Sequence, residues 1–190
     1  MSRKSIAVSA IAGSFTEETT RTYLSDTDQT ADFKCVGTAR NAFEQVATGK
    51  ADLGIIPIRN SNAGFVLENL QASADFTYTI EHVFSLSVRQ NLLVQPGTSA
   101  SKIANITSQL PALAECGVYQ DNHWSHATQT EYIDTALAAR DLSEGKLKST
   151  TAVIASRTAA KLYKLEILAA DTQTDRLNYT DFMIITKHKH

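Results

Sequence analysis

The chain has 190 residues, 43% hydrophobic and 20% charged, with a formal charge of −2, enough for a sizeable core in one large domain or two small lobes. A near-neutral balance with scattered Lys and Arg lacks the basic stripe of a nucleic-acid binder, and no run approaches the ~20 apolar residues of a membrane span. Cys35 and Cys116 are the only cysteines and "MSRKSIAVSAIAGSF" is too broken by polar residues for a signal peptide, so the expected compartment is the cytoplasm with reduced thiols.

"SIAVSAIA" (5–12) reads as a short buried strand. Ser14 to Glu17 fits a capping box, the serine oxygen accepting an N3 amide while the glutamate reaches back, so a helix is predicted through about Leu24. "TARNAFEQVA" (38–47) places Ala42, Phe43 and Val46 on one helical face and stops at Gly49. A strand at 52–58 and a helix at 63–72 follow, and the alternation predicts a mostly parallel sheet with helices on its faces. "HVFSLSVRQNLLV" (82–94) reads as one long extended segment opening a second set. After Pro96-Gly97 come a short helix and strand in "SKIANI" (101–106), then a helix in "SQLPALAEC" (108–116), opened by Ser108 with Pro111 in its first turn. "SHATQT" (125–130) reads as extended, and a helix runs to Ser143 from Thr130 or Asp134. "TAVIA" (151–155) is a strand, Ser156 caps a helix over 156–163, and 165–169 and 179–186 are the last strands, before a frayed "KHKH".

Two β/α sets suggest two lobes. In open α/β sheets ligands collect at strand carboxyl ends near helix N-termini. The polar cluster at 59–64, Ser14, Ser108, Ser156 and Thr180 all sit at such junctions. They predict a cleft lined with hydroxyls and amides, suited to a small anion; capping preference alone also accounts for Ser and Thr there. No P-loop, GxGxxG, CxxC or HExxH is present. His123 and His126 stand three apart, but no carboxylate or cysteine set joins them, so they read as a solvated turn rather than a metal site. Ser61 lacks the GxSxG elbow of a triad nucleophile, and Cys116, on an amphipathic face, reads as a small core residue. By elimination the site works with neutral hydrogen-bond donors and Arg59, with no metal and no cofactor.

In this order the pieces resemble the catalytic domain of the prephenate dehydratase family, over nearly the whole chain. "AGSFTEETT" (12–20) is similar to the family's G-S-[YF]-[ST]-E-E-A-A opening. "FEQVATGKADLGIIPIRNSNAG" (43–64) resembles F-x-A-V-x-x-G-x-A-D-x-G-V-V-P-I-E-N-S-x-A-G. "SQLPALAEC" resembles S-H-P-Q-A-L-x-Q-C, "DTALAAR" (134–140) S-T-A-x-A-A, "AVIAS" (152–156) A-A-I-A-S, and "NYTDF" (178–182) N-x-T-R-F. The resemblance implies two α/β lobes of periplasmic-binding-protein type II with the site in the cleft between them. Residues 1–77 plus 171–190 would form one lobe and 78–170 the other. It implies a dianionic small-molecule substrate, prephenate, and pairing into a homodimer. Asn60 and Ser61 would orient substrate above a floor that includes Gly64, with Ser14, Ser108 and Thr135 as further donors. Thr180 would donate to the departing ring hydroxyl, and Phe182 would pack against the ring.

Departures fall on these motifs. The family's Glu is Arg59 and its Arg is Asp181, which suggests a swapped pair facing across the lobe seam; Arg59 could grip a carboxylate in place of the motif arginine. His-Pro-Gln is Gln109-Leu110-Pro111, the histidine of the extended segment is Gln90, and the S-T-A serine is Asp134. The regulatory ACT domain that usually follows is not expected, since the chain ends eight residues after Phe182. Such a build is similar to the non-aromatising prephenate decarboxylases of specialised pathways, and decarboxylation to a dihydro-4-hydroxyphenylpyruvate is the first expectation. The alternatives are dehydration to phenylpyruvate, carbon dioxide and water, as in phenylalanine biosynthesis, and a non-catalytic small-anion binder. Retained Thr180 favours dehydration; positions 59, 109–111 and 181 favour the decarboxylase.

Overall fold

The computed structural model describes residues 3–188, so Met1, Ser2 and the Lys189-His190 end of the expected tail lie outside the described residues. In chain order the first elements are β1 (Lys4–Val8), α1 (Phe15–Asp26), β2 (Ala31–Cys35), α2 (Ala39–Ala47), β3 (Leu53–Asn60), β4 (Gly64–Phe65), α3 (Leu67–Ser73) and β5 (Tyr78–Ser87). Then come β6 (Asn91–Val94), β7 (Asn105–Ser108), α4 (Leu110–Glu115), α5 (Gly117–Trp124), β8 (Thr128–Glu131), α6 (Thr135–Ser143), β9 (Thr151–Ala155), α7 (Arg157–Leu162) and β10 (Glu166–Ala169). Strand β11 (Tyr179–Lys187) follows. No helix among the described residues is long and apolar enough to cross a membrane.

Two compact units result. The first takes the chain through Ala12, Thr16–Val88 and the chain from Leu177; the second takes Gly13–Phe15 and Arg89–Arg176. In the first, the strands run β2-β1-β3-β11-β5, with β4 hydrogen-bonded to β3. One face of this sheet packs Ile6, Val8, Ile55, Phe182 and Ile184 against Tyr23 and Leu24 of α1. The other packs Ala7, Ile56, Met183 and Ile185 against Ala42, Phe43 and Val46 of α2. Helix α2 forms where predicted because Thr38 caps it, accepting from Asn41 N at 3.2 Å, and its apolar stripe has a sheet to cover. The second unit's strands run β10-β6-β9-β7-β8, with α6 and α7 on one face and α4 and Trp124 of α5 on the other.

Both sheets are mixed rather than mostly parallel. β1–β2, β1–β3, β7–β8 and β7–β9 are parallel, while β11 lies antiparallel between β3 and β5, and β6 antiparallel between β9 and β10. The parallel neighbours β1–β2 and β7–β8 are each joined by a helical crossover, as a parallel return usually requires. The single extended segment expected at 82–94 is two strands in two sheets. Strand β5 pairs with β11 and so stands in the first unit, whereas the resemblance places 78–88 in the second lobe. Residues 171–176, drawn with the first lobe, stand in the second unit, where Thr172 N donates to Gln90 O and Thr174 N to Glu115 O. Strand β1 stops at Val8 rather than residue 12, and α3 begins at Leu67 because residues 64–65 pair with β3 instead of starting the helix.

Candidate active site

In the first unit the segment after the buried run Leu53–Ile56 turns into a hairpin. β3 meets β11 in the register Asn60↔Thr180, Arg59↔Asp181 and Phe182↔Pro57. Ile58 is the extra residue of a bulge, where a proline without a ladder donor is tolerated. Asn60 makes the turn: its Oδ1 accepts from Asn62 N and Ala63 N, each at 2.9 Å. Gly64 then takes φ +83°, a left-handed conformation that a side chain disfavours. Ser61 fastens the hairpin to the start of β11: Ser61 N donates to Tyr179 O at 2.8 Å, and Ser61 Oγ accepts from Tyr179 N at 3.0 Å and lies 3.2 Å from Leu177 O.

The Asn60 amide nitrogen donates to Thr180 Oγ1 at 3.1 Å and to Asn178 Oδ1 at 2.7 Å. An asparagine side chain offers two donors and two lone pairs, and all of Asn60's are engaged within the protein. Asn60 therefore joins the turn at 62–63 to Thr180 and Asn178 of the adjoining chain. Thr180 Oγ1 is the acceptor in its bond, so its own proton remains to be donated. Asn178, absent from the sequence-based site, is fully buried. The signal that would have found it is its place two residues before Thr180, on the same side of an extended chain.

Arg59 and Asp181 do form an ion pair, Nη1 to Oδ2 at 3.5 Å, and Ser85 Oγ donates to Asp181 Oδ1 at 2.5 Å. The pair does not cross a lobe seam as expected: both residues are in adjacent strands of one sheet. Side chains alternate between faces along a strand. Asp181 thus shares the α2 face with Met183, and Thr180 shares the α1 face with Phe182 and Ile184. The two altered charges lie on the opposite side of the sheet from the Asn60–Thr180 pair. Phe182 also differs from expectation. It is 1% exposed, stacked on Phe84 at 5.5 Å in the α1-face core, and offers no open ring face for a substrate.

In the second unit, Ser14 follows Gly13, whose φ is +84° and where a Cβ would stand 3.0 Å from the Tyr163 ring. Ser156 caps α7, accepting from Ala159 N at 2.9 Å, and donates to Gly13 O at 2.6 Å, which ties the Ser14 loop to α7. Ser108 does not open a helix. It ends β7, is buried, and donates to Ile154 O at 2.7 Å; Gln109 is the cap of α4, and its amide donates to Ile133 O at 2.9 Å. Thr135 begins α6 beside Asp134, whose carboxylate accepts from Leu137 N at 2.9 Å. The Ser-to-Asp departure thus keeps the cap. Gln90 is buried, donating to Glu115 Oε2 at 2.8 Å.

Among the described residues no group of three or more His, Cys, Asp and Glu could hold a metal ion. His123 is in α5, not a turn, with its ring 4.6 Å from Tyr119, and His126 Nε2 is 3.2 Å from Ile103 O. Burial pushes the Cys116 thiol up to about 12 and the Cys35 thiol, also facing Glu17, up to about 11. Neither is a ready nucleophile.

Residues 6–190 match the family model described as prephenate dehydratase. The bifunctional chorismate mutase/prephenate dehydratase of Neisseria gonorrhoeae is 31% identical over 152 residues, covering 80% of this chain and 42% of that protein. Arogenate dehydratase 1 of Petunia hybrida is 31% identical over 146 residues, covering 77% of this chain and 34% of that protein. The chain thus spans well under half the length of these relatives. The crystal structure of the prephenate dehydratase of Arthrobacter aurescens in complex with L-Phe superposes with a TM-score of 0.87 at 26% identity, covering 98% of this chain and 61% of that one. The expected α/β class stands, with the chain in two compact units.

Proposed function

Because the chain belongs to the prephenate dehydratase family, we propose that it is a lyase acting on prephenate, and that it expels the ring hydroxyl with the carboxylate to give phenylpyruvate. The observation that carries this reading is the polarity of Thr180: its oxygen accepts from Asn60 at 3.1 Å, so its O–H is left for an acceptor outside the cluster. In the reaction the ring carboxylate leaves as carbon dioxide and its bonding pair becomes a ring π bond. The carbon–oxygen bond breaks with its pair on the hydroxyl oxygen, which takes a proton from water and leaves as water. A hydrogen bond from Thr180 stabilises that developing charge where it forms. Because aromaticity is gained, orientation and one well-placed donor suffice. Ser108 has its proton committed to Ile154 O, and Arg59 and Asp181 act on the other face of their sheet.

Decarboxylation without aromatisation is the second reading, favoured by the altered motif at the start of α4. There Gln109, in place of the motif's His, is tied to Ile133 O, and Pro111 stands where the motif has its Gln, so that amide side chain is lost. One experiment separates the readings: the purified protein is incubated with prephenate, and in parallel with arogenate, and products are identified by absorbance and mass. Phenylpyruvate is the expected product. A product that has lost only carbon dioxide selects the second reading, phenylalanine formed from arogenate alone shifts the substrate, and both compounds recovered unchanged overturn the lyase assignment.

A further inference from the structure

We infer that Asn178 is a positioning residue for Thr180, acting through Asn60; this rests on Thr180 as the donor to the departing oxygen. The chain of hydrogen bonds has one possible polarity. It starts at the backbone N–H groups of Asn62 and Ala63, which can only donate, so Asn60 Oδ1 must face them and its nitrogen must face β11. That nitrogen holds two protons. The shorter bond, 2.7 Å, goes to Asn178 Oδ1 and the longer, 3.1 Å, to Thr180 Oγ1. With one proton held by Asn178, the amide plane is fixed at both ends and the other proton must lie on Thr180, which turns the Thr180 proton outward. Without the Asn178 acceptor the amide nitrogen has a single partner and can swing off it.

Asn178 does this at a thermodynamic disadvantage. It is 0% exposed and its own nitrogen has no partner among the described residues, and a buried, unmade hydrogen bond is destabilising. The orientation cannot be reversed, because a flipped amide would set two donors against each other. Aspartate would supply the same acceptor without the stranded donor, but it would place an anion beside a site for a dianion. A neutral acceptor is what this position needs.

The test uses the full chain and three variants. Side-chain amide NMR of the native protein is expected to show Asn60 protons protected from exchange. N178L, which removes the acceptor, should speed their exchange at least roughly tenfold and lower kcat with prephenate roughly a hundredfold, with KM nearly unchanged. N178D keeps the acceptor and adds the charge. Its KM should rise at about pH 8 and fall back toward the native value, measured at the same pH, near about pH 5, where the buried carboxyl is neutral. N178S serves as a smaller acceptor if N178L does not fold, and should lie between. Asn60 exchange unchanged in folded N178L, or unprotected in the native protein, overturns the inference. Native protein that leaves prephenate unchanged while Asn60 protection is present and lost in N178L removes the lyase reading and leaves Asn178's hold on Asn60 established.

Discussion

Thr180 and Asp181 are neighbours in the chain and belong to different surfaces. Thr180 shares a face with Phe182 and α1, while Asp181 holds Arg59 and Ser85 on the face of α2. Substitutions one position apart should therefore behave differently. Thr180→Ala is expected to lower the prephenate rate by roughly 10²–10⁴-fold, the range for loss of a positioned proton donor, and Thr180→Ser to recover much of it. Asp181→Ala removes a pair whose arginine is 52% exposed; such pairs contribute about 0–1 kcal/mol, and the rate should stay within about threefold. A hundredfold loss in Asp181→Ala would put that face in contact with substrate. The thiols give a pH prediction. Cys35 stays protonated to about 11 and Cys116 to about 12 in the fold, while an unfolded thiol ionises near its ordinary value of 9.0. Between those values the native state binds more protons than the unfolded one, so stability falls as pH rises through that window. At about pH 8 iodoacetamide should label the native chain far more slowly than the same chain in denaturant, as mass spectrometry over time would show.

At the scale of elements, the hairpin β3–β4 shows what the sequence can say of a site. Asn60, Ser61 and Thr180 can be named from their motifs, and the polar cluster at a strand end is visible in the residue types. Which lone pairs stay open is invisible, because it depends on a register set by the bulge at Ile58 and on a strand 120 residues away. Helix α2 and strand β9 are readable because each has an uninterrupted pattern and, for α2, a cap. Strand β2, "ADFKC", is as long as β9 but too polar to be read. Helix α5, "GVYQDNHW", has no apolar stripe, and tertiary burial of Gln120 and Trp124 maintains it. Where a departure from the family preserves a local function, it is physically conservative. Asp134 caps α6 as serine would, so Asp134→Ser should change the unfolding midpoint by only a few tenths of a kcal/mol equivalent, whereas Asp134→Ala should cost about 1 kcal/mol, measured by denaturant titration. A large loss in Asp134→Ser would mean that the carboxylate does more than cap.

Across the whole molecule, each hydrophobic core is confined to one unit. The two clusters flanking the first sheet draw only on residues through Phe84 and on Phe182–Ile185, and the two flanking the second only on residues from Leu92 to Ala169. The units differ in how the chain supplies them. The second is almost continuous, with only Gly13–Phe15 coming from elsewhere, whereas the first closes only when β11 enters between β3 and β5. Among the described residues strand β11 is the only sheet partner of β5, and it brings Phe182, Met183, Ile184 and Ile185, all buried. Burial of each such side chain contributes about 1.5–3 kcal/mol, so four of them rival the ~5–15 kcal/mol net stability of a whole domain. A chain ending at Arg176 should therefore lose the first unit altogether, and with it the carrier of Thr180, while the second persists. Residues 89–176 expressed alone should show a cooperative thermal transition by circular dichroism and amide protection in β6, β7 and β9. The chain shortened to Arg176 should show protection in those same strands and none in β1 or β3. Protection surviving in β1 and β3 would mean that the first sheet stands without β11; its loss from β6, β7 and β9 would mean that the continuous unit depends on the interrupted one to fold.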